Sequence, residues 1–158
     1  LSSTLFYLLA YTVTNVAAFT VVIAAARVAP GDQIASYAGF HRKSPLLSFA
    51  MAASLLSLAG LPPMVGFFAK LYLFAAAFQA GLVWLVMLGL LNSAISLYYY
   101  SQVVRQIYLV APPDEKPVRL PTPALVSLAA AIAGVFVLGI ASTPLLAFAQ
   151  TAVAGMVR

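Results

Sequence analysis

Residues 60–74 read GLPPMVGFFAKLYLF: two adjacent prolines inside a long apolar stretch, with a lone lysine seven residues after the second. Proline removes a backbone donor and clashes with the preceding turn, so it interrupts a helix. A charged side chain is costly in hydrocarbon. The joint presence of Pro62, Pro63 and Lys70 in one apolar segment decides how the rest of the chain is read.

The flanking sequence shows what that segment is embedded in. Of 158 residues, 64% are hydrophobic and 7% charged, and the mean hydropathy is +1.05. A water-soluble domain of this length could not build a polar shell from so few charges. Apolar stretches longer than about 18 residues recur, which predicts transmembrane helices. The short alternating segments of a β-barrel are absent from the sequence. The fold class is therefore all-α integral membrane.

The spans fall at about 3–26, 46–78, 82–104 and 124–146, in a single transmembrane domain covering 1–158. The first is about 24 residues, near 36 Å as a helix. It ends at Arg27, and Pro30-Gly31-Asp32 marks the stop. Pro45 suits a first helical turn. The stretch from Leu46 to Phe78 would be near 50 Å if straight, too long for a bilayer core of about 30 Å. Pro62-Pro63 cuts it into two pieces of about 16 residues. The loop APPDEKPVRLPTP precedes the last span, which carries Gly134 and Gly139 and has Pro144 near its end. The chain opens almost inside an apolar helix, so it is expected to be part of something longer.

Charge separates two readings of 46–78. If it is one interrupted crossing, Arg27, Arg42, Lys43, Arg105, Lys116 and Arg119 share one face, with only Arg158 opposite. If it is two crossings, the six divide equally between the faces. The positive-inside rule prefers the first arrangement. The sequence thus predicts four crossings, the second a discontinuous helix broken within the membrane, with 27–44 and 105–122 on the cytoplasmic side.

A break at depth is tolerated only when protein or a wet cavity encloses it. Pro62, Pro63 and Gly66 are the break residues. Lys70 follows about two turns later. Near the bilayer centre it costs roughly 2.5–3.5 kcal/mol on insertion scales. Water-poor surroundings disfavour an ammonium relative to the neutral amine. Such a group can take up a proton and pass it on, whereas about nine apolar residues separate it from the far end and make snorkelling a long reach. Tyr11, Thr14 and Asn15 in the first span, and Asn92, Ser93 and Ser96 in the third, recur at helical spacing. Tyr11, Asn15, Asn92 and Ser96 are candidates for a water wire, with interhelical packing as the alternative. Tyr98, Tyr99, Tyr100 and Tyr108 read as an interfacial aromatic belt. His41 reads as an exposed loop histidine, or alternatively as a proton-entry group.

The remaining composition excludes other chemistries. The absence of cysteine removes disulfides, thiolate metal sites and iron–sulfur clusters, and one histidine with three acids is too few for a typical metal site. The net charge of +5 rests on a few loop cations, a topogenic pattern that points to no nucleic acid partner. No nucleotide-binding loop, nucleophile–base pair or redox cofactor site stands out.

Three stretches carry a resemblance: LFYLLAYTVTNVAAFTVVIA, SPLLSFAMAASLLSLAGLPPMVGFFAKLYLFAAAFQAG and LLNSAISLYYYSQVVRQIY. They resemble the C-terminal part of the subunit N/subunit 2 family of the proton-pumping NADH–quinone oxidoreductase, respiratory complex I. The family's wider antiporter-like group includes Mrp-type cation/proton antiporters. The resemblance implies a fold of two inverted five-helix repeats in roughly fourteen spans, each repeat with one broken helix. This chain would supply the eleventh to fourteenth, with 45–80 the broken twelfth. Lys70 would match the family lysine on that helix, at the end of a half-channel to the outer face. The resemblance implies proton translocation coupled to electron transfer from NADH to quinone, as a non-redox subunit, with the fragment alone not catalytic. NAD and quinone would bind other subunits, leaving no cofactor in this chain. Partners would be the lipid bilayer and other membrane subunits, especially neighbouring antiporter-like ones. The location would be the cell inner (plasma) membrane, or an organellar energy-transducing membrane outside bacteria. An Mrp-type antiporter subunit and a purely structural membrane subunit are the alternatives.

Overall fold

The computed structural model describes residues 1–26, 33–112 and 121–156. Arg27, Lys116, Arg119 and Arg158, on which the topology count leans, lie outside the described residues, as do Pro30-Gly31-Asp32 and most of the loop before the last span. The described residues form helices and no strands. In order they are α1 (Ser2–Ala26), a 3₁₀ turn (Ile34–Tyr37), α2 (Phe40–Lys43), α3 (Pro45–Ala59), α4 (Val65–Gln79), α5 (Val83–Leu109), α6 (Thr122–Ile140) and α7 (Ser142–Met156). Among the described residues, α1, α5 and α6 are long and apolar enough to cross a membrane. The shorter α3 and α4 are the two halves of the stretch around the prolines.

The packing partners of α1 show how those halves are arranged. Near its C-terminal end, Val21, Ala24 and Ala25 are buried with Leu47, Ala50, Met51 and Leu55 of α3. At mid-length, Thr14 Oγ1 lies 3.3 Å from Ser57 Oγ. Further back, Ala10 and Phe6 share a core with Met64, Val65 and Ala69, and Phe6 meets the Tyr72 ring edge-on. Descending α1 therefore means ascending α3, the break and α4 in turn. The two 15-residue halves run head to tail, antiparallel to α1, along its 25 residues. A hairpin would have returned to the Leu47 end. The break lies level with the middle of α1.

The α1 face that makes these contacts is mostly small: Ala10, Thr14, Ala17, Ala18, Ala24 and Ala25 are buried. Between helices in lipid there is no water to expel, so close approach of small residues and dispersion contacts hold the bundle. Ala17 has no exposed surface, whereas neighbouring Val16 is 57% exposed. Ala17→Leu is expected to cost about 1–3 kcal/mol by overpacking, read as a lower thermal midpoint in detergent. Val16→Leu is expected to stay within about 0.5 kcal/mol of the parent.

The ends of two spans differ from the sequence-based expectation. The third was expected to stop near Val104, but α5 continues to Leu109. Arg105 marks a membrane face without breaking a helix, and nothing incompatible with helix follows before Pro112. The carbonyls of the last turn are met from outside: the Gly39 N–H donates to the Gln106 oxygen at 3.1 Å. His41 Nδ1 donates to the Ile107 oxygen at 2.7 Å. His41 is thus part-buried on α2 and stacked on Tyr108, not an exposed loop residue. The last span was expected to run to about Leu146, but α6 ends at Ile140 and α7 begins at Ser142. Pro144 cannot donate to the Ile140 carbonyl, and its ring would collide with it in a continuous helix.

Candidate functional site

The break is shaped by the residues on either side of the prolines. Gly60 takes the left-handed conformation, φ 92°, which a Cβ would oppose. Its N–H bonds the Ser57 oxygen at 3.0 Å, and the Leu61 N–H bonds the Leu56 oxygen at 3.0 Å. This is the paired bond pattern that closes a helix on glycine. The helix therefore stops at Ala59, before the prolines. Pro62 and Pro63, joined by a cis peptide, prevent it from resuming until α4 starts at Val65.

Two groups tie the halves together across the break. The Gly66 N–H donates to Ser57 Oγ at 3.1 Å. Thr14 Oγ1 spends its hydrogen on the Ala10 oxygen at 2.8 Å, so the Ser57 hydroxyl is left to donate to Thr14. A Cβ at position 66 would run into the Ser57 carbonyl oxygen. Gly66 is thus required by close approach of two backbones. On the far side, Gly139 of α6 lies so close to the Pro63 carbonyl that a Cβ there would collide with it, and Tyr72 donates to Ser142 Oγ at 3.3 Å.

Lys70 reaches back over this break. Its Nζ donates to the Ala59 carbonyl oxygen at 3.0 Å and to Ser93 Oγ of α5 at 3.2 Å. The Ala59 carbonyl is one of the unpaired groups at the end of α3, where the helix dipole favours a cation. The stem of Lys70 packs on Gly60, whose absent Cβ leaves room for it: an added Cβ would be 3.1 Å from Lys70 Cδ. The broken end of one half-helix thus supplies part of the binding site for the ammonium carried by the other.

Lys70 also stands in the wall between two chambers. One, of about 20 Å³, is lined by Thr14, Ser57, Gly66 and Tyr11 as well as Lys70. That is room for about one water. The other, of about 310 Å³, is lined by Tyr7, Tyr11, Asn92, Ser93, Ser96, Tyr99 and Tyr100 among others. Of the candidate water-wire residues, Tyr11, Asn92 and Ser96 therefore gather around Lys70. Asn15 does not: its amide donates to the Tyr11 carbonyl at 2.7 Å, and it faces a neighbouring cavity. Pro62 and Pro63 lie at the break but do not line either chamber. Tyr99 and Tyr100, expected in an interfacial belt, line the larger chamber; Tyr98 is 69% exposed. Ser57 and Tyr7 went unmarked in the sequence, because one serine or tyrosine among many small or aromatic residues carries no signal of which way it faces. No group of three or more metal-ligating side chains occurs among the described residues.

Known proteins resemble this chain in sequence and backbone. Residues 1–96, which include both half-helices, Lys70 and Ser93, match the family model described as NADH:quinone oxidoreductase/Mrp antiporter, transmembrane. NAD(P)H-quinone oxidoreductase subunit 2 of Nostoc sp. is 43% identical over 97% of this chain and 32% of its own length. NADH-quinone oxidoreductase subunit N of Trichlorobacter lovleyi is 41% identical over 96% of this chain and 32% of its own. A chain of the solved respiratory complex I from Thermus thermophilus with bound Aureothin superposes with a TM-score of 0.77 at 34% identity, covering 92% of this chain and 33% of that one. This chain spans about a third of the length of these relatives.

Proposed function

The chain belongs to the NADH:quinone oxidoreductase/Mrp antiporter transmembrane family, and from that premise we propose that it is a proton-translocating part of a membrane subunit of an NADH–quinone oxidoreductase, with Lys70 as its proton carrier. The observation that carries this reading is the placement of Nζ. It is bonded to the exposed carbonyl end of a broken helix and to a serine hydroxyl, at the boundary of two polar-edged chambers.

The chemistry needs only proton movement. The ammonium, held by the Ala59 oxygen and Ser93 Oγ, gives a proton to a hydroxyl or water in the larger chamber. The neutral amine then accepts a hydrogen bond in its turn and waits for the next proton. Tyr11, Asn92 and Ser96 furnish polar edges along the way. Pro62, Pro63 and Gly66 act indirectly, by holding open the helix end that Lys70 caps. NAD and quinone are bound by other subunits of the complex, and this chain contributes no cofactor ligand. Its partners are the other membrane subunits, neighbouring antiporter-like ones above all. Its place is an energy-transducing membrane: the inner membrane of a bacterial cell, or an organellar membrane elsewhere.

The test is Lys70→Ala in the assembled complex, with proton uptake into inverted vesicles measured alongside NADH oxidation. A group that relays protons contributes about 10²–10⁴-fold to a transfer step, so coupled uptake is expected to fall at least about tenfold. Unchanged uptake per NADH would make this a structural subunit. A sodium-dependent transport defect with no change in NADH oxidation would favour the Mrp-type antiporter.

A further inference from the structure

Helix α5, which supplies Ser93 to Lys70, is held near both of its ends. At its start a tight turn through Gly81 joins it to α4. That turn brings Ser93 level with Lys70, and Lys70 Nζ donates to Ser93 Oγ at 3.2 Å. At the other end α5 meets the segment between α1 and α3. The Gly39 N–H donates to the Gln106 oxygen at 3.1 Å, and His41 Nδ1 donates to the Ile107 oxygen at 2.7 Å. The His41 ring stacks on Tyr108 with centroids 5.5 Å apart. Between these two contacts Phe40 is buried in one core with Ile107, Leu47 and Met51. Gly39 is left-handed, φ 59°, and a Cβ there would run into the Pro112 ring just beyond α5.

We propose that Gly39, Phe40 and His41 form a clamp that positions Ser93 for Lys70, with His41 a positioning residue for the proton transfer. The inference rests on Lys70 being the proton carrier. The stripe on α5 links the two places. Ser93, Ser96, Tyr100, Val103, Val104 and Ile107 follow one another at helical spacing and share one face. Seating Ile107 in the core therefore fixes the rotation that turns Ser93 toward Lys70. The carbonyls of a last turn lie at the helix end, so bonds to them hold that end in place. The turn at Gly81 sets the level of Ser93 but leaves the tilt of α5 open. From Val83, Ser93 lies about 15 Å along the axis and Ile107 about 36 Å. A helix pivoting at the turn thus carries Ser93 through about two-fifths of any movement at the clamp. A shift of about 2 Å at Ile107 would stretch the bond to Ser93 to about 4 Å, beyond hydrogen-bond range. Lys70 is not free to follow, because its Nζ also bonds the Ala59 oxygen and its stem packs on Gly60.

The test measures proton uptake per NADH by the whole oxidoreductase in inverted vesicles. His41→Ala and Ser93→Ala are each expected to lower uptake about fivefold, the worth of one hydrogen bond. The double variant is expected to be no worse than Ser93→Ala alone. Sites about 21 Å apart along a helix act independently unless one works through the other, so a combined loss of about 25-fold overturns the clamp, as does parental uptake in His41→Ala. His41→Asn keeps an N–H where Nδ1 stands and loses the ring, whereas His41→Phe keeps the ring and loses the donor. The asparagine variant is expected to stay within about twofold of the parent, and the phenylalanine variant to match alanine. The reverse order overturns the role given to the Nδ1 bond. If His41→Ala does not assemble, this pair carries the comparison and the cycle with Ser93→Ala is run on His41→Phe. Lys70→Ala separates the two levels: retained uptake sinks the carrier, whereas lost uptake beside a parental His41→Ala sinks only the clamp.

Discussion

Lys70→Arg is expected to abolish most coupled proton uptake while leaving the assembled complex intact, although it preserves the charge. The guanidinium has donors enough to meet the Ala59 oxygen and Ser93 Oγ, and it satisfies the dipole of α3 as the ammonium does. What it cannot do is release a proton, because arginine stays charged under all conditions a protein meets. The substitution therefore separates two roles that Lys70→Ala removes together. If residue 70 serves only as a cap for the broken helix, arginine rescues function and alanine does not. If it carries the proton, both fall by at least about tenfold, and arginine alone keeps the thermal stability of the parent. Uptake per NADH and a melting curve on the same preparation decide between these.

Much of this site was legible in the sequence, and the parts that were not share a cause. The interruption at Pro62-Pro63 and the isolation of Lys70 follow from rules about backbone donors and the cost of charge in hydrocarbon, which act within one segment. The interruption itself begins earlier than the prolines, at Gly60, since a residue preceding proline avoids the helical conformation and the chain must leave the helix before it arrives there. The partners of Lys70 are another matter. Ala59 lies eleven residues back and Ser93 twenty-three ahead. Only the folding of α4 against the end of α3, and of α5 against both, brings them within reach. The tyrosines show the same limit. Tyr99 and Tyr100 read as an interface because a helix ending near Val104 would place them in its last turns. The helix runs on to Leu109, two carbonyls of its last turn are taken by Gly39 and His41, and both tyrosines line the larger chamber. The end of α6 turned on Pro144, which was visible, but a proline three residues into a new helix and one near the end of an old helix look alike in sequence.

Gly66→Ala is expected to be strongly damaging, because the close approach there is of backbone to backbone. The new Cβ would meet backbone, the Ser57 carbonyl, and would also crowd Ser57 Oγ. Neither can rotate away without breaking the Gly66 N–H bond to Ser57 and the bond from Ser57 to Thr14. Overpacking in a well-filled core costs about 1–3 kcal/mol when side chains can adjust. Leaving a buried donor unpaired adds about 1–3 kcal/mol. The two together are large beside the stability of a helix pair, so the head-to-tail stacking of α3 and α4 is expected to fail, and with it the distance from Lys70 to Ala59. Gly134→Ala is the control. There a Cβ would meet only a Val13 methyl, at 3.1 Å, which a small side-chain rotation relieves at a cost below about 1 kcal/mol. Comparable yields and melting temperatures for the two alanine variants would mean that the close approach at Gly66 does not hold the break together. A loss confined to Gly66→Ala, with proton uptake lost alongside thermal stability, ties uptake to the geometry of the broken helix.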